Sequence, residues 1–258
     1  MTKSILDQFR LDGQAALVIG GNRGLGLEMA KALAEAGASL FLAGRDAARN
    51  EQARALVASE YGCACGMAEC DVSDPDQVAA TVAAAVAQFG KVDVLINSAG
   101  INIRGAIGDV SPEDFEKVQR VNVTGTWLAC REVVPVMKRN GYGRIVNIAS
   151  MLAVVAIPER TLYATSKGAV LQMTRALAIE LAREKITVNA IMPGPFATEM
   201  NLPLTEDPVK YAAFMSKIPM GRWGDLSEIG GLALYLASPA SSYVTGAGFA
   251  IDGGWIAQ

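Results

Sequence analysis

The chain has 258 residues, of which 51% are hydrophobic and 19% are charged. This balance excludes a disordered polypeptide and favours a buried parallel sheet covered by helices. The net charge of −3, with no run of lysine or arginine, excludes the basic surface that nucleic acids and anionic membranes attract. The apolar runs are much shorter than the ~20 residues of a membrane span. We therefore expect a cytoplasmic protein with one domain, residues 1–258, and no nucleic-acid or membrane partner.

The residue types available for chemistry narrow the mechanism, because the sequence contains no histidine. Ser-His-Asp triads, His-paired thiolates and His-ligated zinc are excluded, and tyrosine becomes a strong candidate for acid–base catalysis. Cys63, Cys65 and Cys70 lie close together in the sequence, and Cys130 lies apart from them. Without the paired Cys-x-x-Cys motifs of zinc sites, we predict no metal site and interpret the cysteines as reduced thiols packed around a strand.

A glycine-rich turn follows the first predicted strand, residues 15–19, and opens a helix that runs to about Ala36. The glycines at positions 20, 24 and 26 allow a tight turn and a close approach of the backbone to a pyrophosphate. The negative charge of such a group would lie at the positive end of the helix. The position of the turn between a strand and a helix predicts a dinucleotide site.

The end of the second predicted strand, residues 39–43, indicates which dinucleotide binds. NAD-selective sites usually have a carboxylate there, about 20 residues after the glycines, to hold the ribose hydroxyls. This chain has Gly44 and then Arg45, and a second arginine, Arg23, lies in the glycine turn. Two arginines suit a 2′-phosphate, so we predict NADP(H). The alternative is that both arginines are solvated and that Asp46 serves NAD.

Two more strands end in polar or small residues that would reach the same edge of the sheet. After a helix over residues 47–60, the third strand ends near Cys70 and is followed by Asp71, which either contacts the adenine or caps the helix that begins near Asp74. The fourth strand, residues 92–96, leads into Asn97. The carboxyl ends of parallel strands are where open α/β sheets bind ligands.

The next part of the chain carries four side chains that are candidates for catalysis. A helix that begins after Ser111, a capping residue, contains Asn122 and continues to about Arg139, and the strand 144–150 ends in Ser150. Tyr163 and Lys167 lie four residues apart on a helix over residues 161–181, so they share one face. A lysine cation beside a phenol lowers the pKa of the phenol. The plainer interpretation is a buried ring and a snorkelled amine.

The last part of the chain completes the sheet and adds a lid. A sixth strand, residues 186–191, ends before Pro193 and Gly194. Residues 196–220 form a long segment rich in methionine, leucine and phenylalanine, as is typical of a lid over a substrate. A helix over residues 227–237 and a strand over 247–251 follow.

Together these motifs resemble those of the short-chain dehydrogenases/reductases. The segments 155–160 and 222–225 look most like those of the gluconate 5-dehydrogenase-type members. The residues that carry the resemblance are Asn122, Ser150, Tyr163, Lys167, the glycine turn and the segment 97–100. It implies a single-domain α/β fold, a Rossmann-type doubly wound parallel sheet with helices on both faces. The cofactor-binding half would be about 11–150 and the catalytic half about 151–258. A homotetramer or a dimer formed through the two long helices is also implied.

The resemblance also implies roles for individual residues. Tyr163 would be the acid–base group, Ser150 would bind the substrate oxygen, and Lys167 would lower the Tyr163 pKa and hold the nicotinamide ribose. Asn122 would anchor a water that links Lys167 to solvent. The implied cofactor-binding residues are Gly20, Asn22, Arg23, Gly24, Leu25, Gly26, Arg45, Asp71, Val72, Asn97, Ala99, Gly100, Tyr163, Lys167, Pro193, Gly194 and Thr198. Ile19 stands where the family usually has a threonine, which removes one hydroxyl from this loop.

The substrate is expected to be a small molecule with a carbonyl or a secondary alcohol. Arg104, Leu152 and Arg160 are the candidate substrate residues, and the arginines would suit a sugar acid or a polyol. The apolar lid would instead suit a simple ketone. Two further alternatives are a 3-oxoacyl-carrier-protein reductase, for which a basic docking surface is missing from the sequence, and a non-catalytic dinucleotide sensor, which would not need all four catalytic residues.

Overall fold

The computed structural model describes residues 4–199 and 208–258, and in these ranges seven parallel strands form one sheet. The strands are β1 (Ala15–Ile19), β2 (Ser39–Gly44), β3 (Cys65–Glu69), β4 (Val94–Asn97), β5 (Gly143–Ile148), β6 (Ile186–Pro193) and β7 (Gly248–Ile251). The helices are α1 (Gly24–Glu35), α2 (Ala47–Tyr61), α3 (Pro75–Phe89), α4 (Pro112–Gln119), α5 (Gly125–Asn140), α6 (Thr161–Leu181), α7 (Pro208–Met215) and α8 (Glu228–Ala237). The predicted strands and helices are confirmed, with ends that move by a few residues.

The order of the strands, β3-β2-β1-β4-β5-β6-β7, places the ligand crevice. The chain adds strands on one side of β1 as far as β3 and then crosses back, so that β4 pairs with the other side of β1. Such a reversal leaves a gap above the carboxyl ends of the two central strands, because the helices that follow them cover opposite faces. The predicted doubly wound α/β class is confirmed.

Successive residues of each central strand enter two different cores, which explains why the strands are continuously apolar. Leu17 and Ile145 face the layer of α3, α5 and α6. Val18 and Val146 face the layer of α1, α2 and α8. All four side chains are fully buried. The sheet is therefore covered on both faces, and its carboxyl edge is the part left for a ligand.

The helix predicted from Ser111 to about Arg139 is interrupted in the structure. The Ser111 hydroxyl accepts a hydrogen bond from the Asp114 amide, as predicted for a cap, but α4 ends at Gln119. A π-helical turn, Arg120–Thr124, follows before α5 begins. Such turns insert a residue into a helix and are common at functional sites. The turn here contains Asn122, whose side chain is buried.

A chain of polar side chains runs through the core from β4 to α6. Asn97 Nδ2 donates a hydrogen bond to Asn147 Oδ1 (2.9 Å), and Asn147 Nδ2 donates to Thr174 Oγ1 (3.0 Å). Thr174 in turn donates to the Val170 carbonyl oxygen (2.9 Å). Because each amide finds a partner, the burial of these groups is compensated. This chain joins β4 and β5 to α6, the helix that carries Tyr163.

Residues 200–207 of the predicted lid lie outside the described part of the chain. The remainder contains α7, which includes Phe214. The Phe214 ring packs against Trp255, with ring centroids 4.8 Å apart, and against Trp223, with ring centroids 6.2 Å apart. Within the described residues, a search for a helix with the length and hydropathy of a membrane span finds none.

Candidate active site

A cavity of about 780 Å³ opens at the carboxyl edge of the sheet. Most of the predicted site residues line it, from the glycine turn to the lid. They are Gly20, Asn22, Arg23, Gly24, Leu25, Gly26, Arg45, Asp71, Val72, Ala99, Gly100, Arg104, Ser150, Leu152, Arg160, Tyr163, Lys167, Pro193, Gly194 and Thr198. The cavity is therefore continuous from the predicted dinucleotide turn to the predicted catalytic residues.

Gly20 and Gly26 of the glycine turn have no room for a side chain. Gly20 has φ +80°, and a Cβ atom there would lie 2.6 Å from the Ala99 amide nitrogen. A Cβ on Gly26 would overlap the Gly20 carbonyl oxygen. Because α1 begins at Gly24, its first free amides lie at the cavity and can bind an anion. The turn thus fits a pyrophosphate.

Ser150, Tyr163 and Lys167 converge at the inner end of the cavity. Ser150 follows β5 by two residues, and its hydroxyl accepts a hydrogen bond from the Leu152 amide (3.1 Å) and bonds with the Tyr163 phenol. The Lys167 ammonium lies 5.5 Å from the centre of the Tyr163 ring and donates to the Ile148 carbonyl oxygen (2.6 Å). β5 and α6 therefore hold the hydroxyl groups of Ser150 and Tyr163 near the ammonium group of Lys167.

Burial controls the protonation of these groups. Burial raises the Tyr163 pKa to about 12, and the hydrogen bond with Ser150 offsets only part of this rise. Burial also lowers the Lys167 pKa to about 8. The net shift of the Tyr163 pKa is upward because desolvation of the phenol dominates, and the lowering effect of Lys167 stays a prediction. At neutral pH Tyr163 holds its proton, and Lys167 is mostly charged.

Two predicted site residues, Asn97 and Asn122, are buried behind the cavity wall instead of lining it. Asn97 does not line the cavity, and its amide is used within the sheet, in the bond to Asn147, so its contact with the cofactor stays a prediction. Asn122 accepts from the Ile101 amide (2.8 Å) and donates to the Ile101 carbonyl oxygen and the Ser166 hydroxyl (both 2.9 Å). Asn122 therefore fixes the loop that follows β4 against α6.

Three arginines line the other end of the cavity, near the end of β2. Arg23 and Arg45 were predicted, and Arg49 on the first turn of α2 was missed. The Glu199 carboxylate pairs with Arg23 (2.6 Å) and Arg49 (3.3 Å), and these arginines hold the pKa of Glu199 below its usual value. The position of Arg49 one turn after Arg45 is a signal in the sequence that points to this group.

The acidic residues at this end have separate tasks. Asp46 caps α2 by accepting a hydrogen bond from the Arg49 amide (3.0 Å), which disfavours the alternative that it holds the ribose of NAD. Asp74, not Asp71, caps α3. Asp71 lines the cavity and accepts two hydrogen bonds from Ser73. Burial alone would raise the Asp71 pKa, but these bonds outweigh it and the pKa is lowered.

The substrate end of the cavity combines two arginines with apolar side chains. Burial lowers the pKa of Arg160, and the charge of Arg104 lowers it further. Burial also lowers the Arg104 pKa. The Gly105 amide donates to the Glu159 carbonyl oxygen (3.3 Å), which holds the two arginine-bearing loops together. The apolar lining residues at this end are Met151, Ile157, Phe196 and Phe214. Two guanidinium groups so close together favour an anionic ligand.

Comparison with known proteins agrees with this geometry. The family model described as Enoyl-(Acyl carrier protein) reductase matches residues 19–256. The galactitol 2-dehydrogenase (L-tagatose-forming) of Cereibacter sphaeroides is 43% identical over 250 residues, which are 96% of each chain. A gluconate 5-dehydrogenase from Burkholderia cenocepacia J2315, solved in complex with NADP and tartrate, is 36% identical with a TM-score of 0.95 over 99% of this chain and 100% of that one. A short-chain type dehydrogenase/reductase from Mycobacterium marinum is 38% identical with a TM-score of 0.94, over 99% of this chain and 100% of that chain. By fold, by the residues at its cavity and by these similarities, the chain belongs to the short-chain dehydrogenase/reductase family of oxidoreductases.

Proposed function

We propose that this protein is an NADP(H)-dependent oxidoreductase that interconverts a carbonyl group and a secondary alcohol on a sugar acid or a polyol. The observation that carries the proposal is the convergence of Ser150, Tyr163 and Lys167 in the same cavity as the glycine turn. The related gluconate 5-dehydrogenase structure contains NADP, and the related galactitol dehydrogenase acts on a polyol. A binding protein without catalysis would not need this buried group.

The cavity fits the dinucleotide along its whole length. The turn over residues 20–26 leaves room and free amides for the pyrophosphate. The cluster of Arg23, Arg45 and Arg49 suits a 2′-phosphate, which would take the place of the Glu199 carboxylate on Arg23 and Arg49. Lys167 would hold the nicotinamide ribose. When bound, NADP(H) supplies or accepts the hydride, and the protein contributes the proton and the orientation.

In the direction of reduction, Tyr163 donates its proton to the carbonyl oxygen of the substrate. Ser150 donates a hydrogen bond to the same oxygen as negative charge develops there. The Lys167 ammonium then stabilises the phenolate that Tyr163 leaves behind. The proposed water between Lys167 and solvent would bind the Asn122 carbonyl oxygen, because the hydrogens of the Asn122 amide are already donated to Ile101 and Ser166.

Tyr163→Phe tests this mechanism, because it removes the proton donor and keeps the ring. We expect turnover to fall by about 10²–10⁴-fold, while the affinity for NADPH changes by less than about twofold. The control is Tyr243→Phe, which changes a fully exposed tyrosine. Full activity of Tyr163→Phe would rule out the mechanism.

The two arginines favour the sugar acid over the polyol. A carboxylate between Arg104 and Arg160 would relieve the repulsion between a partly buried and a buried cation and form charge-assisted hydrogen bonds. The tartrate in the related gluconate 5-dehydrogenase structure is a hydroxy acid of this kind. The polyol stays a second candidate because of the 43% identity to galactitol 2-dehydrogenase.

A substrate panel with Arg160→Met separates these candidates. Gluconate, galactitol, a simple ketone and a 3-oxoacyl thioester would be compared by kcat/KM. We expect gluconate or its keto form to react best, and Arg160→Met to reduce kcat/KM for the acid by about 10–100-fold with little effect on galactitol. Equal losses for both substrates would show that Arg160 does not bind the carboxylate.

We also propose a homotetramer in the cytoplasm. Trp127 on α5 and Ile179 on α6 are 48% and 81% exposed, which supports an interface on these helices. The four cysteines are free thiols, as in proteins of a reducing compartment. Light scattering should give four times the 27.1 kDa chain mass, and Ile179→Asp should lower it. A monomeric wild type would contradict the proposal.

A further inference from the structure

Gly44 at the end of β2, Asn22 in the glycine turn and Asn50 on α2 pack together beside the cavity. Asn50 on α2 is completely buried, and its Nδ2 donates hydrogen bonds to the carbonyl oxygens of Gly44 (2.7 Å) and Ala68 (2.8 Å). Its Oδ1 accepts a hydrogen bond from Asn22 Nδ2 (2.7 Å). Asn50 thus connects the ends of β2 and β3 to the glycine turn.

The backbone carbonyl groups determine which atoms of this network donate hydrogen bonds and which accept them. The carbonyl oxygens of Gly44 and Ala68 can only accept, so the Asn50 amide must turn both hydrogens toward them. Asn50 therefore has only its oxygen left for Asn22, and Asn22 must donate a hydrogen bond to it from its amide nitrogen. Asn22 keeps its own oxygen, a neutral acceptor, for the cavity that it lines.

The same pair occupies the space that a side chain at position 44 would need. A Cβ atom on Gly44 would lie 2.6 Å from Asn22 Nδ2 and 3.0 Å from Asn50 Oδ1. Position 44 is where a carboxylate would hold the ribose hydroxyls of NAD. A carboxylate there would also repel a 2′-phosphate. In this structure the neutral Asn22 amide occupies the space of that carboxylate.

We propose that Asn22, held by Asn50, is a specificity-determining residue for the cofactor and that Asn50 is its positioning residue. Asn22 fills the place of the missing carboxylate, so it excludes an acidic side chain from position 44 and leaves the 2′-phosphate to Arg23, Arg45 and Arg49. Its oxygen accepts a hydrogen bond from a ribose hydroxyl. This inference rests on the proposed use of NADP(H).

The test compares the dissociation constants of NADPH and NADH by calorimetry for wild type, Gly44→Asp and Gly44→Asp/Asn22→Ser. We expect Gly44→Asp alone to bind both dinucleotides at least about tenfold more weakly, because the new side chain collides with Asn22. The double variant should regain NADH binding by at least about tenfold but not NADPH binding. Gly108→Asp, where a Cβ meets nothing within 4 Å, is the control for an added carboxylate.

The inference is overturned if Gly44→Asp binds NADH as tightly as the double variant, since Asn22 would then block nothing. Circular dichroism checks that the variants are folded. The variant Asn50→Leu tests the positioning role of Asn50 without a change at position 44. It should raise KM for NADPH by about tenfold and leave kcat at saturation within about twofold, and an unchanged KM would contradict the positioning role. A wild type that binds neither dinucleotide would overturn the proposed function as well. If the wild type prefers NADPH but the variants do not bind the dinucleotides as expected, only the role of Asn22 is overturned and the proposed function stands.

Discussion

At the residue scale, burial of Lys167 and Tyr163 sets the pH dependence of the proposed reaction. The Lys167 pKa of about 8 means that the amine loses its charge as the pH rises above that value. Since the ammonium stabilises the Tyr163 phenolate, kcat/KM for reduction should fall above about pH 8. Oxidation needs the phenolate to accept a proton, so its rate should not fall in the same way. A pH profile of both directions checks this, and a reduction rate that stays constant to about pH 10 would contradict it.

The same burial has a consequence for stability. The folded pKa of Lys167 is lowered from 10.5 to about 8, so between these values the unfolded chain binds more protons than the folded one. The free energy of unfolding therefore gains a contribution that grows as the pH rises through this window. At neutral pH the buried ammonium is a cost to the fold, which the reaction requires.

Asn122→Ala is expected to destabilise the protein by about 2–3 kcal/mol. The substitution leaves the amide and the carbonyl group of Ile101 without their partner and removes the bond to Ser166. Chemical denaturation of Asn122→Ala and of Asn140→Ala, a change at an exposed helix end, would measure the difference. Equal stabilities would show that the Asn122 bonds do not hold the loop after β4.

At the element scale, two neighbouring glycines of α8 should respond to alanine in opposite directions. A Cβ on Gly231 meets nothing within 4 Å, so Gly231→Ala should stabilise the helix by about 0.5–1 kcal/mol. A Cβ on Gly230 would lie 2.9 Å from the Ala32 Cβ of α1, so Gly230→Ala should destabilise the protein by about 1–3 kcal/mol. Thermal unfolding of the two variants checks the packing of α1 against α8. A shift in the same direction for both would contradict it.

Elements and their order could be predicted from the sequence, because each has a local signal. Strands such as residues 15–19 are continuous apolar runs, and helices such as Pro75–Phe89 begin after a capping residue and end at a glycine. The π-helical turn at Asn122 could not be predicted, because it depends on the loop at Ile101, which is distant in the sequence.

Within the candidate site, the glycine turn and the Tyr163–Lys167 pair were predictable because spacing alone brings their groups together. Glu199 and Asn50 were missed, since each reaches the cavity or its wall through contacts between distant segments. Arg49 was missed although its position one turn after Arg45 is a local signal. The position of Asn97 behind the cavity wall was not predictable for a similar reason, since its partner, Asn147, is 50 residues away in the chain.

At the scale of the whole molecule, one sheet joins the predicted cofactor-binding half to the predicted catalytic half through the pairing of β5 with β6. If the protein is one domain, as we propose, both halves should unfold in a single transition. The three tryptophans report on both, because Trp127 lies on α5 while Trp223 and Trp255 lie near the lid. Fluorescence of wild type and of Trp127→Phe should coincide with far-ultraviolet circular dichroism during denaturation. Two separate transitions would contradict the single domain.

The polar chain through Asn97, Asn147 and Thr174 also bears on how the sheet assembles. Asn97 and Asn147 stand opposite each other where β4 pairs with β5. A shift of β5 by one residue would turn its side chains to the other face and bury an amide without a partner in an apolar layer. Parallel strands far apart in the sequence find each other slowly and pass through misaligned pairings. The paired asparagines therefore give the folding chain a check on alignment, since the correct pairing is the one that satisfies both amides.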